Sequence, residues 1–403
     1  MSQTKFDVIV IGAGPSGSTA ARNLAKKGIS TLIIDKQEFP RYKPCGGGLS
    51  GRIKNILDID ISQVVERESF GIKVYADGIF FDGTLDQSSG FLVMRNKFDN
   101  LLLEKAIESG AEFKGSTRLI GLTYEQDHYK IKTSNGTFEG SYIVGADGVN
   151  SLVAKLSGLR YSWDKDEVAI AIEAELKVGK EEVERITANP NDPEHVSIEI
   201  YFGPVKNGYA WCFPKYDTLS LGVGARLDKA GRIRDSWFAF IDYFSKMKKI
   251  KIENLKYTAH MLPFGGFLKK PYKDRLLLVG DAAGFVSPAT GEGIYYGILS
   301  GIHAATAISE AIESNDPSKI KKYAKYIKDE IIRDMSVGKY LANILYRKEK
   351  NPVTIIKLAN QDNEIKTLFS ALIMGSIPYD EIKKRMTKQI LLHYPTKGLR
   401  MFL

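Results

Sequence analysis

Cysteine is nearly absent: Cys45 and Cys212 are the only two among 403 residues. No disulfide framework can hold such a chain, and a reducing interior is the compartment this usage points to. Also missing is an uninterrupted apolar run of about 18 residues, the length a membrane-crossing helix needs. The nearest candidates are broken by Asp281 or by glycine-rich turns. The opening segment, MSQTKFDVIVIG, has no charged leader, apolar stretch and cleavage site, and passes straight into a strand-like run. A cytoplasmic, monomeric protein is expected, with any membrane contact peripheral. Lysine and arginine number 57 against 48 acids, a formal charge of +9. The basic residues are spread along helical segments without a zinc-finger, cold-shock or RNA-recognition pattern, which argues against nucleic acid. A lysine-rich solvated surface or contact with an anionic membrane accounts for the charge. Internal repeats and low-complexity linkers are lacking too.

What is present is a large globular chain, 43% hydrophobic, too long for one ordinary core. DVIVIG, a helix from about Gly14 to Lys27 and STLIID form a βαβ unit. A helix from about Phe98 to Ser109 carries Leu101, Leu102, Leu103 and Ala106 on its apolar side. It leads to strands near Glu112 to Leu122, Tyr129 to Thr133 and Thr137 to Val144, with Ser134-Asn135-Gly136 as a hairpin turn. Between 165 and 262 the pattern alternates (VAIAIEAEL, VSIEIYF, YAWCFP, LSLGVG), as in an antiparallel sheet. Helical periodicity returns after Gly291, notably over Lys319 to Arg347 and Tyr379 to His393. The expected fold is therefore α/β: a discontinuous nucleotide-binding domain over 1–164 and 263–315, an inserted antiparallel-sheet domain over 165–262, and a helical region over 316–403.

IGAGPSG places Gly12, Gly14 and Gly17, with Pro15 and Ser16 between them, at G-x-G-x-x-G spacing between strand and helix. Such glycines permit a tight turn, close approach of backbone to a pyrophosphate, and helix packing on the strand. Asp35, about twenty residues on, ends the second strand, where a carboxylate can accept hydrogen bonds from a ribose. Two later loops, one with Gly145, Asp147 and Gly148 and one with Gly280 and Asp281, each follow an apolar strand and read as reaching the same ligand. Asp281 can hydrogen-bond polyol hydroxyls, and a helix opening near Gly291, Gly293 and Ile294 can aim amides at a ring that becomes anionic on reduction. A ribityl chain and such a ring are present in FAD and not in NAD.

This set resembles the flavoprotein fold of p-hydroxybenzoate hydroxylase and, more narrowly, the geranylgeranyl reductase family, which includes archaeal digeranylgeranylglycerophospholipid reductases. The resemblance spans roughly residues 4 to 300. It is carried by the nucleotide fingerprint, PCGGG at Pro44 to Gly48, the loops at Asp147 and at Gly280 and Asp281, and YAWCFPK with the glycines Gly222 and Gly224. It implies that Arg95 reaches the flavin's polar chain, rather than standing as a surface cation at a helix start, and that Leu119 offers backbone near the adenine. It further implies an isoprenoid-binding chamber lined by Tyr209, Trp211, Phe213, Pro214, Lys215, Gly222 and Gly224. Read as plain alternation, the same rings are ordinary sheet core. Burying about ten prenyl carbons at about 0.8 kcal/mol each would contribute roughly 8 kcal/mol before ordering costs.

The bare backbone of Gly46 and Gly48 suits a flat ring, with the Cys45 amide beside it. Cys45 itself admits three readings: a small buried filler, a flavin neighbour that tunes reactivity, or a redox thiol. Arg41 and Lys43 either hold an anionic headgroup or face solvent. The implied activity is FAD-dependent saturation of geranylgeranyl chains in archaeal phospholipid precursors. An isolated alkene needs a proton as well as a hydride, and Cys45, a flavin-bound water and the Tyr209 hydroxyl are the candidates for its source. No second nucleotide fingerprint exists, so the external electron donor is open between NAD(P)H, ferredoxin and another carrier. An aromatic-ring monooxygenase and a non-catalytic flavin and prenyl-lipid binder are the competing functions. KIKKYAKYIKDEIIRDM interleaves Ile320, Tyr323, Ile327 and Ile331 with lysines, either as an interfacial surface or as a helix packed on the main domain. The final LRMFL reads as a possible docking tail.

Overall fold

The computed structural model describes residues 4–83, 88–189 and 192–402. Lys5–Ile11 lies at the centre of a sheet, paired in parallel with Thr31–Ile34 on one side and Gly136–Gly145 on the other. Glu112–Lys114 and Leu276–Leu278 extend it in parallel at either side. The inner strands carry runs of Val, Ile and Leu, because helices and loops cover both faces, whereas the edge strand Glu112–Lys114 does not. Helix Pro15–Ala25 packs against helices Arg95–Glu108 and Ile294–Glu313. The strand expected near 112–122 is two strands. Ser116, at φ +47°, turns the chain after Glu112–Lys114, and Leu119–Glu125 joins an antiparallel extension with His128–Thr133. Ser134 and Asn135 form the expected turn between Thr133 and Gly136, which are register partners.

The second sheet has seven strands, in the order Thr258–Pro263, Val168–Lys177, Thr218–Arg226, Gly208–Pro214, Ile198–Phe202, Ile72–Ala76 and Ile79–Asp82. It is larger than the expected 165–262 insert and is mixed, not purely antiparallel. Ile72–Ala76 comes from far upstream and pairs in parallel with Ile198–Phe202. Alternation gives this sheet two faces. Ala210, Cys212, Leu219, Leu221 and Val223 pack under Trp237, Phe240 and Phe244 of helix Ile233–Lys248. Tyr209, Trp211 and Phe213 point the other way, toward Gly46 and Thr290.

The carboxy-terminal third is helical. Ile320, Tyr323, Ile327 and Ile331 are fully buried in the core of the parallel sheet, and the Tyr323 hydroxyl donates to the Leu278 carbonyl at 2.9 Å. The interfacial-surface reading of this segment is thereby overturned: its apolar stripe is already occupied, and its lysines form the solvated side. Arg333–Arg347, Asn363–Met374 and Tyr379–His393 cover the end of the mixed sheet around Ile72, Val74 and Ile198. Met401 of the terminal segment packs into this second core, while Leu403 lies outside the described residues, as do the first three residues of the opening segment. Among the described residues, no helix is long and apolar enough to cross a membrane.

Candidate functional site: a cleft continuous with an aromatic chamber

One cavity of about 750 Å³ runs from the Gly12 turn to the mixed sheet. At its nucleotide end Gly12 has φ +106°, and a β-carbon there would stand 2.7 Å from the Ala146 carbonyl carbon. Only glycine fits that turn. Helix Pro15–Ala25 begins at Gly14 with no side chain capping it, so its first amides and its positive end serve the cavity, bordered by Gly12, Gly14, Pro15 and Ser16. Asp35 accepts from the amides of Ala13 (2.8 Å) and Gln37 (2.9 Å), which fixes its carboxylate at the rim. Leu119 borders the same end.

A second uncapped helix, Ile294–Glu313, also starts at the cavity, with Gly291, Gly293 and Ile294 on it. Arg52 fixes that glycine loop by bonding Glu292 at 2.6 Å while also pairing with Asp334 of Arg333–Arg347 at 3.3 Å. Asp281 borders the cavity between the two helix starts; burial raises its pKa while Lys43 and Arg95 pull it down. Burial also lowers the Lys43 ammonium to about 8, against the attraction of Asp281. Lys43 hydrogen-bonds His260, whose own pKa falls to about 4 through burial and the neighbouring cations Lys43 and Arg95.

Not every expected residue has its side chain in the cavity. Arg95 borders it, but its guanidinium makes two bonds to Asp99 (2.8 and 2.9 Å), an acid that also pairs with Arg41 at 2.9 Å. Asp147 turns its carboxylate onto Ser151 Oγ and the amides of Leu152 and Val153, capping helix Leu152–Ser157, so only its loop faces the cavity. Gly17 and Gly280 do not border the cavity. Each lets backbone or Ser16 pack where a β-carbon would collide. Pro214, Lys215 and Gly222 likewise stand outside it; Lys215 is buried in an ion pair with Glu175.

The chamber end joins the glycine loop to the aromatic row. A β-carbon on Gly46 would come within 2.7 Å of Phe213 and 3.2 Å of Trp211 Nε1, so the rings lie directly against that backbone; Gly48 borders the cavity too. The Trp211 indole lies over Gly222, its partner on the next strand, and its buried Nε1 has no acceptor among the described residues. Tyr209 donates to the Thr290 carbonyl at 2.6 Å, and burial raises its pKa further. Gly224 borders the cavity beside it. Cys45 stands at the junction, accepting from the Gly47 amide at 3.4 Å; both cysteines are free.

Sequence reading missed several residues. Ile198, Ile200, Tyr346, Ile373 and Met374 add to the apolar wall. Glu173, on Val168–Lys177, also borders the cavity although its residue is only 2% exposed. Its signal was available: EAE interrupts an apolar strand and puts two acids on one face.

The paired uncapped helix starts, the Asp35 and Asp281 carboxylates and the glycine backbone at Gly46 fit an FAD, and a flavin-binding protein is the class they define. The family described as an FAD binding domain matches residues 5–220. A digeranylgeranylglycerophospholipid reductase of Methanocaldococcus jannaschii is 31% identical over 341 residues, covering 80% of this chain and 82% of that one. An uncharacterised protein of Methanosarcina barkeri is 34% identical over 347 residues, 86% of this chain and 85% of the other. The crystal structure of a geranylgeranyl bacteriochlorophyll reductase-like protein from Thermoplasma acidophilum superposes with a TM-score of 0.82 at 26% identity, covering all of both chains. The chain belongs to the geranylgeranyl reductase family of FAD-dependent oxidoreductases.

Proposed function

We propose that the protein saturates the double bonds of geranylgeranyl chains in archaeal phospholipid precursors, the 2,3-digeranylgeranylglycerophospholipids. The observation that carries this reading is the continuity of the nucleotide cleft with an apolar chamber, where Trp211 and Phe213 lie against Gly46. The reductase of Methanocaldococcus jannaschii supports the substrate class.

Gly12, Gly14, Ser16 and Asp35 would hold the adenosine and pyrophosphate, Asp281 the ribityl chain, and the amides from Cys45 to Gly48 with Gly291 to Ile294 the ring. Bound flavin, once reduced, supplies a hydride. The protein then has to orient a flexible chain, exclude water and provide a proton. Trp211, Phe213, Ile200 and Met374 give the chain an apolar bed, and a dry wall protects cationic character at carbon from water. Cys45 is positioned to tune the ring or to act upon it. Reduction comes from an external donor, with NAD(P)H and ferredoxin as the candidate classes.

Oxygen dependence provides the test. Photoreduced enzyme incubated anaerobically with the lipid should yield product heavier by the added hydrogens in mass spectra of the extracted chains. Turnover that requires oxygen and inserts it into an aromatic ring would instead establish a monooxygenase. Bound lipid that never changes mass would establish a carrier.

A further inference from the structure

We propose that Glu173 is the acid that protonates the alkene, with Tyr42 as its link to solvent; the inference rests on the prenyl-lipid reading above. Glu173, Gly222 and Trp211 are register partners across three neighbouring strands, so the carboxyl lies on the cavity face beside the indole that covers Gly222. Its Oε2 accepts from the Tyr42 hydroxyl at 2.5 Å and its Oε1 from Ser220 Oγ at 3.3 Å. Tyr42 is 53% exposed, which completes a path from bulk water to a buried acid.

The local charge count decides which group holds a proton. Glu173 and Glu175 share a face of one strand, and Lys215 is the cation placed against them, bonded to Glu175. From the strand on the other side come Thr258 and His260, and His260 is held neutral beside Lys43. Two carboxyls and one ammonium in such a cluster reach neutrality when one carboxyl keeps its proton, and among the described residues the carboxyl without an ion pair is Glu173. In keeping with this count, burial and then Glu175 push Glu173 up to about 7. Tyr209 is a poorer source, because its hydrogen is committed to a carbonyl and burial raises its pKa.

In the step, the O–H bond of Glu173 breaks and a C–H bond forms at the less substituted alkene carbon. The π pair is consumed, and the more substituted carbon accepts the hydride that reduced flavin supplies. Glu173 is left as carboxylate and regains a proton from water through Tyr42. The alkene is reduced and the flavin oxidised, by two electrons each.

Two measurements on the holoprotein test this. In an infrared pH titration, the wild type should show a protonated-carboxyl band that disappears as pH passes about 7 and that is missing in Glu173→Gln. In anaerobic mixing of photoreduced enzyme with digeranylgeranylglycerophospholipid, flavin re-oxidation should slow above about pH 7 in the wild type. Glu173→Gln should be slower by about 100-fold or more, without that pH limb. If that variant fails to retain FAD, Glu173→Asp takes its place, with a shifted band and a reduced rate that keeps the limb. A substitution that leaves the band, the rate and the pH dependence at wild-type values overturns the assignment. An active wild type with an insensitive variant overturns the acid role alone; a wild type that saturates no prenyl lipid overturns the functional reading along with it.

Discussion

Two glutamates are buried in the mixed sheet, on opposite faces, and their surroundings differ in one respect. Glu199 is fully buried on the face closed by helix Ile233–Lys248, where Lys248 pairs with it at 2.7 Å and the hydroxyls of Tyr201 and Tyr75 donate to it. Glu173, on the cavity face, has hydroxyl partners but, among the described residues, no cation of its own. The closed face thus satisfies its charge and serves stability. Among the described residues, the open face leaves the Trp211 indole N–H and Glu175 Oε2 without hydrogen-bond partners and Glu173 without a cation. A buried carboxyl with no cation, on a cavity wall beside an unpartnered indole N–H, is what sets this face apart from the packed one.

Substitutions on the two faces should separate these roles. Phe240→Ala, on the closed face, should cost about 3–5 kcal/mol in urea unfolding and leave lipid affinity per folded molecule unchanged. Glu199→Ala should follow at about 3 kcal/mol, because it strands the buried Lys248 charge. Trp211→Ala should destabilise less than Phe240→Ala, since its ring borders open volume, yet weaken lipid binding about tenfold by losing apolar contact. Equal stability losses for the two aromatic substitutions, with unchanged lipid affinity, would make Trp211 plain core. The remaining effect is one of pH. Because the folded-state pKa of Glu173 is raised to about 7, its contribution to wild-type stability is fully present below the ordinary carboxylate range of about 4.3 and is lost as pH rises through 7. Glu173→Gln should therefore flatten the fall in Tm between about pH 4.3 and 7, and a parallel fall in wild type and variant would remove Glu173 as its cause.

The nucleotide end was legible because backbone requirements write themselves into sequence: Gly12, Gly14 and Gly17 between strand and helix, then Asp35 at its offset. The alternation of YAWCFPK was equally legible, and Tyr209, Trp211 and Phe213 do share a face. The recruitment of Ile72–Ala76 was not, since a short apolar strand carries no mark of a partner more than a hundred residues away. Tyr346, Ile373 and Met374 look in sequence like any helical core position, and only tertiary placement puts them on the cavity. Asp147 shows the reverse case. An acid after a strand and before a helix suits a ligand and a cap equally well, and here it caps.

The central claim is that the flavin cleft and the apolar chamber form one reaction space. Single-turnover mixing of photoreduced holoprotein with digeranylgeranylglycerophospholipid, in the absence of oxygen, tests it most directly. The account requires the oxidised-flavin absorbance to return with one double bond lost per flavin. Flavin that stays reduced until oxygen is admitted, with the lipid recovered unchanged, would contradict it.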